Sequence, residues 1–290
     1  MAIIFTAIGI ILSPFAPFLL DEYVRITPKM LSEILEDDKV SVLDRVLNIT
    51  EGAKSKANVL EFNDIRKEFK QPIRLEGLDL SNKTLAGVNL DSVVFLNSNL
   101  SRANMQKSQL NSVQISGDLS SINLSNASLL SADLSGSDLS DAILKDALFA
   151  DADVTDSLFT GADLSDADFR YADLSNASLF DADLLDASLR YANLTNVDLS
   201  YADLTDADLS NANLNRAVIG HANLTNASLR IADLTRADLR GSYLTNASLN
   251  LADLDNSLFD CNSVRTANFT VNTSQVHIVD SNLNVVSNCQ

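Results

Sequence analysis

Carboxylates are the most plentiful groups for chemistry in this 290-residue chain, with 39 acids against 21 bases and two histidines. A paired aspartate can act as general acid or base, but only where the two environments tune the carboxyls apart. Here Asp pairs recur so regularly that the pattern of the chain itself generates them. His221 and His277 stand far apart in sequence, and the two cysteines are Cys261 and Cys289. There is no phosphate-binding Gly-rich loop, no nucleophile elbow and no His/Cys ligand spacing. These residues point to a surface property and to neither catalysis nor a cofactor, and no metal site is expected. Two cysteines do not make a disulfide framework and leave the redox compartment open.

The acids are themselves uneven. Asp supplies 32 of the 39, and no Glu follows Glu76. Residues 117–210 carry 19 Asp against Lys145, Arg170 and Arg190, so most of the formal net charge of −18 lies in one third of the chain. An apolar fraction of 46% argues against disorder despite that charge. The loss of long, helix-favouring charged side chains argues against a helical body for this part.

The element that positions these acids is a five-residue repeat. Apolar centres fall at Leu119, Leu124, Leu129 and every fifth residue to Phe269, and 28 of these 31 centres are Leu or Phe. The residue two before the centre is Ala in 23 units, and the residue one before is mostly Asp, Asn or Ser. A period of five smears apolar residues around a helix and sends successive centres to opposite faces of a flat strand. It works when the chain turns a corner in every unit, so that the centre and the residue two before it both point inward. Stacked coils then bury a Leu column beside an Ala column, as in a β-solenoid. A looser run in another register has centres from Leu75 to Ile115, and only four residues separate Ile115 from Leu119. A local distortion is therefore expected at Ser116–Gly117. Lys83 at a nominally inward position, with Leu78, Val88 and Val93 where the later run has Ala, suggests a less regular first part.

Units such as Ala162-Asp163-Leu164, Ala202-Asp203-Leu204 and Ala222-Asn223-Leu224 resemble the pentapeptide-repeat family, whose motif is Ala-(Asp/Asn)-Leu-x-x. The resemblance covers roughly residues 73–271. It implies an all-β solenoid, a right-handed quadrilateral β-helix with four units per 20-residue coil; the count of units then gives about ten coils, preceded by an N-terminal segment whose own residues read as helical. Leu164, Leu184 and Leu204 with Ala162, Ala182 and Ala202 are then examples of the core. Asp163, Asp183 and Asp203 form one outward column, and Asp166, Asp186 and Asp206 a second on the same wall. Arg170, Arg190 and Arg230 form another column, with Tyr171 and Tyr191 beside two of them. His221 becomes a solvent-exposed corner residue, with Cys261 two coils on, about 10 Å away and too far to share a metal.

The rest of the chain reads as follows. Residues 1–20 are apolar, with no charge from Ala2 to Leu20, and are near the length of a bilayer core. They read as a membrane anchor, single-pass or N-terminal, with a cleaved signal or an apolar cap on the solenoid as alternatives. Residues 21–72 read as a helical neck: Thr27-Pro28 suits a helix start, and Met30, Leu31, Ile34 and Leu35 make an apolar face. Residues 272–290 read as a C-terminal cap or tail. The function expected is a non-enzymatic, membrane-tethered binding scaffold that presents the acidic wall to a protein with a basic surface. No cofactor and no direct nucleic-acid binding are expected. The alternative, drawn from quinolone-resistance members of the family, is a cytoplasmic DNA mimic that modulates a DNA topoisomerase.

Overall fold

The computed structural model describes residues 74–266 and 277–279. The anchor reading of residues 1–20 and the helical neck at 21–72 lie outside these residues, as does the tail apart from three of its residues.

Within the repeat each unit is a short extended piece closed by a turn. Around Leu164, Asp163 N donates to Ala142 O of the preceding coil at 2.9 Å, and Leu164 N donates to Asp183 O of the next at 2.7 Å. Ala167 N closes the corner on Leu164 O at 3.1 Å. The third residue of that corner, Asp166, sits at φ 59°, and its equivalents throughout the repeat are left-handed too. A turn closed from first to fourth residue with positive φ at the third has the pattern of type II. Asp, Asn and Gly tolerate that conformation best, which gives a backbone reason for acids at the corner.

Coil pairs with coil in parallel. Bridges join Asp163 to Asp183, Asp183 to Asp203 and Asp203 to Asn223, an offset of 20 residues. Four units make one coil, and every side is a parallel ladder. Isolated one-residue bridges dominate because each side is only a few residues wide.

The longer strands occur where the two repeat registers meet. Strand β1 (Arg74–Glu76) pairs with β2 (Val94–Asn99), and β2 with β3 (Gln114–Asp118). The pairing of β2 with β3 shifts between Phe95 and Ser98. Across this step the offset falls to 19, as in Asn104 with Asn123 and Gln109 with Ser128. Gly117 lies at the step with φ 143°, and a Cβ there would come within 2.5 Å of Ser98 O. Only glycine lets the backbones approach this closely.

The interior follows the inward columns. Leu164, Leu184 and Leu204 are fully buried, as are Ala162, Ala182 and Ala202. Phe149 and Phe169 replace Leu in consecutive coils and stack at 4.6 Å, with Phe159 edge-on to Phe169 at 6.2 Å. Where Ser replaces the inward Ala, its hydroxyl finds a carbonyl: Ser157 donates to Leu134 O at 2.8 Å and Ser242 to Leu239 O at 2.6 Å. Burying a hydroxyl is costly unless it is bonded, so these substitutions fit only because a backbone oxygen is in reach. In the first run Leu78, Val88 and Val93 are buried, whereas Lys83 is only half-buried.

The regular register ends at Phe259. The repeat reading placed its next centre at Val264, but the chain instead turns after β4 (Leu258–Asp260) into a short helix, α1 (Cys261–Thr266); the centre read at Phe269 lies outside the described residues. The Asp260 side chain accepts from Asn262 N and Ser263 N at 3.1 and 2.9 Å, capping the helix start. Strand β5 (His277–Val279) returns to pair in parallel with β4. Cys261 is disulfide-bonded.

Candidate functional site: the outward walls

Four walls alternate with four corners. The first wall carries Asp163, Asp183 and Asp203 as consecutive bridge partners. Asp166, Asp186 and Asp206 follow at the adjoining corner, all exposed and all left-handed. The two columns of the sequence reading are therefore neighbours, one on the wall and one on its edge. Asp181 joins them on the other edge, in the coil of Asp183, so residues 160–166, 180–186 and 200–206 present seven carboxylates and no base. Like charges one rung apart, about 4.8 Å, repel unless solvent or a cation intervenes.

The wall aspartates also hold the turn. Asp163 Oδ1 accepts from Ser165 N at 3.1 Å and from its hydroxyl at 2.7 Å. Asp203 does the same with Thr205, at 3.0 and 2.5 Å, and also accepts from Asn223 Nδ2 at 3.2 Å. Asp183 has Leu185 two residues on and accepts its N–H at 3.0 Å. Asn193 and Asn213 make the same turn with Thr195 N and Asn215 N, at 3.2 and 3.0 Å. This is an Asx turn, which a Glu, one methylene longer, does not reproduce. The corner acids are different. Asp166 takes Lys145 Nζ at 2.8 Å across one coil, and this ion pair holds the Lys145 ammonium above its ordinary pKa.

The second wall, with Asp168 and Asp208, is partly neutralised. Arg170 clasps Asp168 through Nε and Nη2 at 2.8 and 2.6 Å, and this bidentate bond holds the Asp168 carboxyl below the usual range. Arg190 lies 3.6 Å from Asp208 and 5.8 Å above the Tyr191 ring. Tyr171 and Tyr191 stack at 5.0 Å along this edge, which continues through exposed Ile231 and Leu251. Ile231 is a β-branched residue at φ 60°, a strained choice for an exposed corner. On the third wall burial opposes ionisation of Asp173, but bonds from Ser175 and Asn193 outweigh it and lower its pKa.

His221 is exposed and stacks on Tyr201 at 5.0 Å. Its ring lies over Gly241, where a Cβ would come within 2.6 Å of Cε1 and Nδ1. Among the described residues no three His, Cys, Asp or Glu side chains are placed to hold a metal ion. Among the same residues no helix is long and apolar enough to cross a membrane. Sequence reasoning placed Asp181 only in the corner column of Tyr201 and His221, outside the acidic site, and passed over the exposed Arg216 and Arg236 at the edge of the third wall. The same 20-residue spacing that aligned the other columns would have found them.

Comparisons with known proteins fall in one class. The family profile described as Pentapeptide repeats matches eight copies over residues 74–117, 115–146, 147–184, 177–216, 192–230 and 222–260. Among solved structures, HetL from the cyanobacterium Nostoc sp. strain PCC 7120 is a pentapeptide repeat protein involved in heterocyst differentiation regulation. It is 30% identical over 70% of this chain and 96% of that one, with a TM-score of 0.26. QnrB1, a plasmid-mediated fluoroquinolone resistance protein, is 19% identical over 72% of this chain and 94% of that one, at 0.30. Rfr23 from the cyanobacterium Cyanothece 51142 is 41% identical over 33% of this chain and 61% of that one, at 0.19. The comparison with curated proteins returned no match.

Proposed function

Because the chain belongs to the pentapeptide-repeat family, whose members fold as right-handed quadrilateral β-helices, we propose that it is a non-enzymatic binding scaffold. Its acidic wall, with Asp163, Asp183 and Asp203 and the corner residues Asp166, Asp186 and Asp206, docks a protein partner with a basic surface. The observation that carries this reading is the seven carboxylates and no base on this face of three successive coils, with only Asp166 paired among the described residues, to Lys145 of the coil before. The same ladder position holds Ile143 and Tyr243 in this column, and the corner accepts Asn or Gly, so fold alone does not call for so many charges. The scaffold is held at a membrane by residues 1–20, a role supported by the uncharged stretch from Ala2 to Leu20. The disulfide at Cys261 favours an oxidising compartment for the solenoid.

The test is titration of the full chain with a fluorescent heptalysine peptide. Changing all six wall and corner aspartates to Asn is expected to weaken binding at least tenfold. Unchanged binding would remove the acidic-wall reading. Inhibition of a DNA topoisomerase by the full chain, lost in the same variant, would move the reading to the DNA mimic. Failure of the full chain to associate with vesicles would remove the anchor.

A further inference from the structure

The wall opposite the acidic one breaks the chain's negative charge. Units ten residues apart lie half a coil apart, so the wall built on Leu194, Leu214 and Leu234 faces away from the one built on Leu164, Leu184 and Leu204. Across residues 190–196, 210–216 and 230–236 it presents Arg190, Arg216, Arg230 and Arg236 against a single carboxylate, Asp233. All four arginines are exposed. Among the described residues Arg216, Arg230 and Arg236 have no carboxylate within ion-pair distance, and Arg190 only Asp208 at 3.6 Å. The floor between these edges is neutral at Asn193 and Asn213, where Asn213 Nδ2 reaches Asn193 Oδ1 at 3.5 Å, and its third residue is Asp233.

We propose that this arginine-edged wall docks the acidic wall of a second copy of the chain. This rests on the reading above and names the basic partner. The argument is charge complementarity in register. Both walls belong to the same parallel ladder, so their charged rows share a rung of about 4.8 Å and three basic coils can lie against three acidic ones. An unrelated polyanion would have no matching pitch. Two copies carrying −18 each repel at long range, which confines contact to the matched walls. Because the walls lie on opposite sides of the rod, the contact is heterologous and leaves a free wall at each end. The product is a side-by-side row of rods, and not a closed dimer.

The experiment is sedimentation of the full chain over a concentration series, at about 50 mM and about 500 mM salt, where the screening length falls several-fold. Association that grows with concentration and weakens at least tenfold at high salt is expected. Arg216→Glu/Arg236→Glu and Asp186→Lys/Asp206→Lys should each lose it, with wild-type melting showing that both fold. Mixing the two should restore one-to-one pairs that grow no further, since one supplies the intact acidic wall and the other the intact basic wall. A chain that stays monomeric throughout, or variants that associate like wild type, would overturn the proposal. Heptalysine binding by such a monomeric chain would leave the acidic-wall reading standing while the second-copy idea falls.

Discussion

The wall with Asp163, Asp183 and Asp203 and the opposite wall with Asn193, Asn213 and Asp233 are built alike. Each has a buried Leu column beside a buried Ala column, the same coil-to-coil ladder and the same left-handed corner. Each also makes the same turn, through Asp203 Oδ1 to Thr205 N at 3.0 Å on one side and Asn213 Oδ1 to Asn215 N at 3.0 Å on the other. They differ only in outward charge: seven carboxylates in three coils of one, four arginines and one carboxylate in three coils of the other. The backbone therefore fixes the inward residues and the corner geometry, while the outward choice between Asp and Asn, or between Asp and Arg at a corner, remains free. That freedom is where binding specificity can be written without altering the fold.

If the walls are equivalent inside, core damage must be equally severe beneath either. Leu184→Asp and Leu194→Asp each bury an unpaired carboxyl and remove apolar contact, and each is expected to cost about 4 kcal/mol or more. Thermal melting should show two similar large losses. A large loss for one and none for the other would break the equivalence. The turn should give the next effect. Asp203→Ala and Asn213→Ala each remove one Asx acceptor and should lower stability by about 1 kcal/mol. Asp203→Asn should keep the turn, and chemical denaturation of the three variants checks the order. Smaller again is the corner strain at Ile231. Ile231→Asn places a residue suited to positive φ and is expected to raise stability by about 0.5–1 kcal/mol, read from the same denaturation curves.

The acid response should be the smallest, and its clearest source is the Asp168–Arg170 pair beside the two compared walls. The Arg170 bond lowers the Asp168 pKa in the folded chain. A depressed carboxyl contributes stability that is present above the unfolded pKa and lost as pH falls through the folded value. Loss is therefore expected below about pH 4. Asp168→Asn should flatten that part of a melting-versus-pH profile, and an unchanged profile would discount the pair.

Much of the fold was legible in sequence because inward positions admit few residues. Leu at the centre and Ala two before it recur wherever a side is buried, and the four-residue step from Ile115 to Leu119 is visible by counting. What the outward residues do was less legible. In sequence, the loss of Glu argued only against a helical body. The structure adds a more specific cause, since Asp163 and its equivalents bond the N–H two residues on, and corner acids such as Asp166 sit where φ is positive. The unit after Phe259 departs from the reading. Val264 keeps the five-residue spacing of apolar residues, yet the Asp260 cap starts α1 after the last regular unit. Periodicity reports which residues are apolar and not which backbone bonds close. The candidate site was half legible: the 20-residue spacing groups the six aspartates, but Asp166, Asp186 and Asp206 were read onto the wall and sit at its corner, and grouping Arg216 and Arg236 with Arg190 and Arg230 required the walls and their edges to be seen together.

The central claim is that one wall, and not the overall charge, recognises a basic partner. The direct measurement compares two triple variants of the full chain that remove the same number of charges and keep the Asx turn. One is Asp163→Asn/Asp183→Asn/Asp203→Asn, on the acidic wall. The other is Asp173→Asn/Asp233→Asn/Asp253→Asn, on the opposite wall. Heptalysine titration of both should show at least tenfold weaker binding for the first and less than a twofold change for the second. Equal weakening in the two would contradict the account, because binding would then follow net charge and the wall would be only a solvated surface.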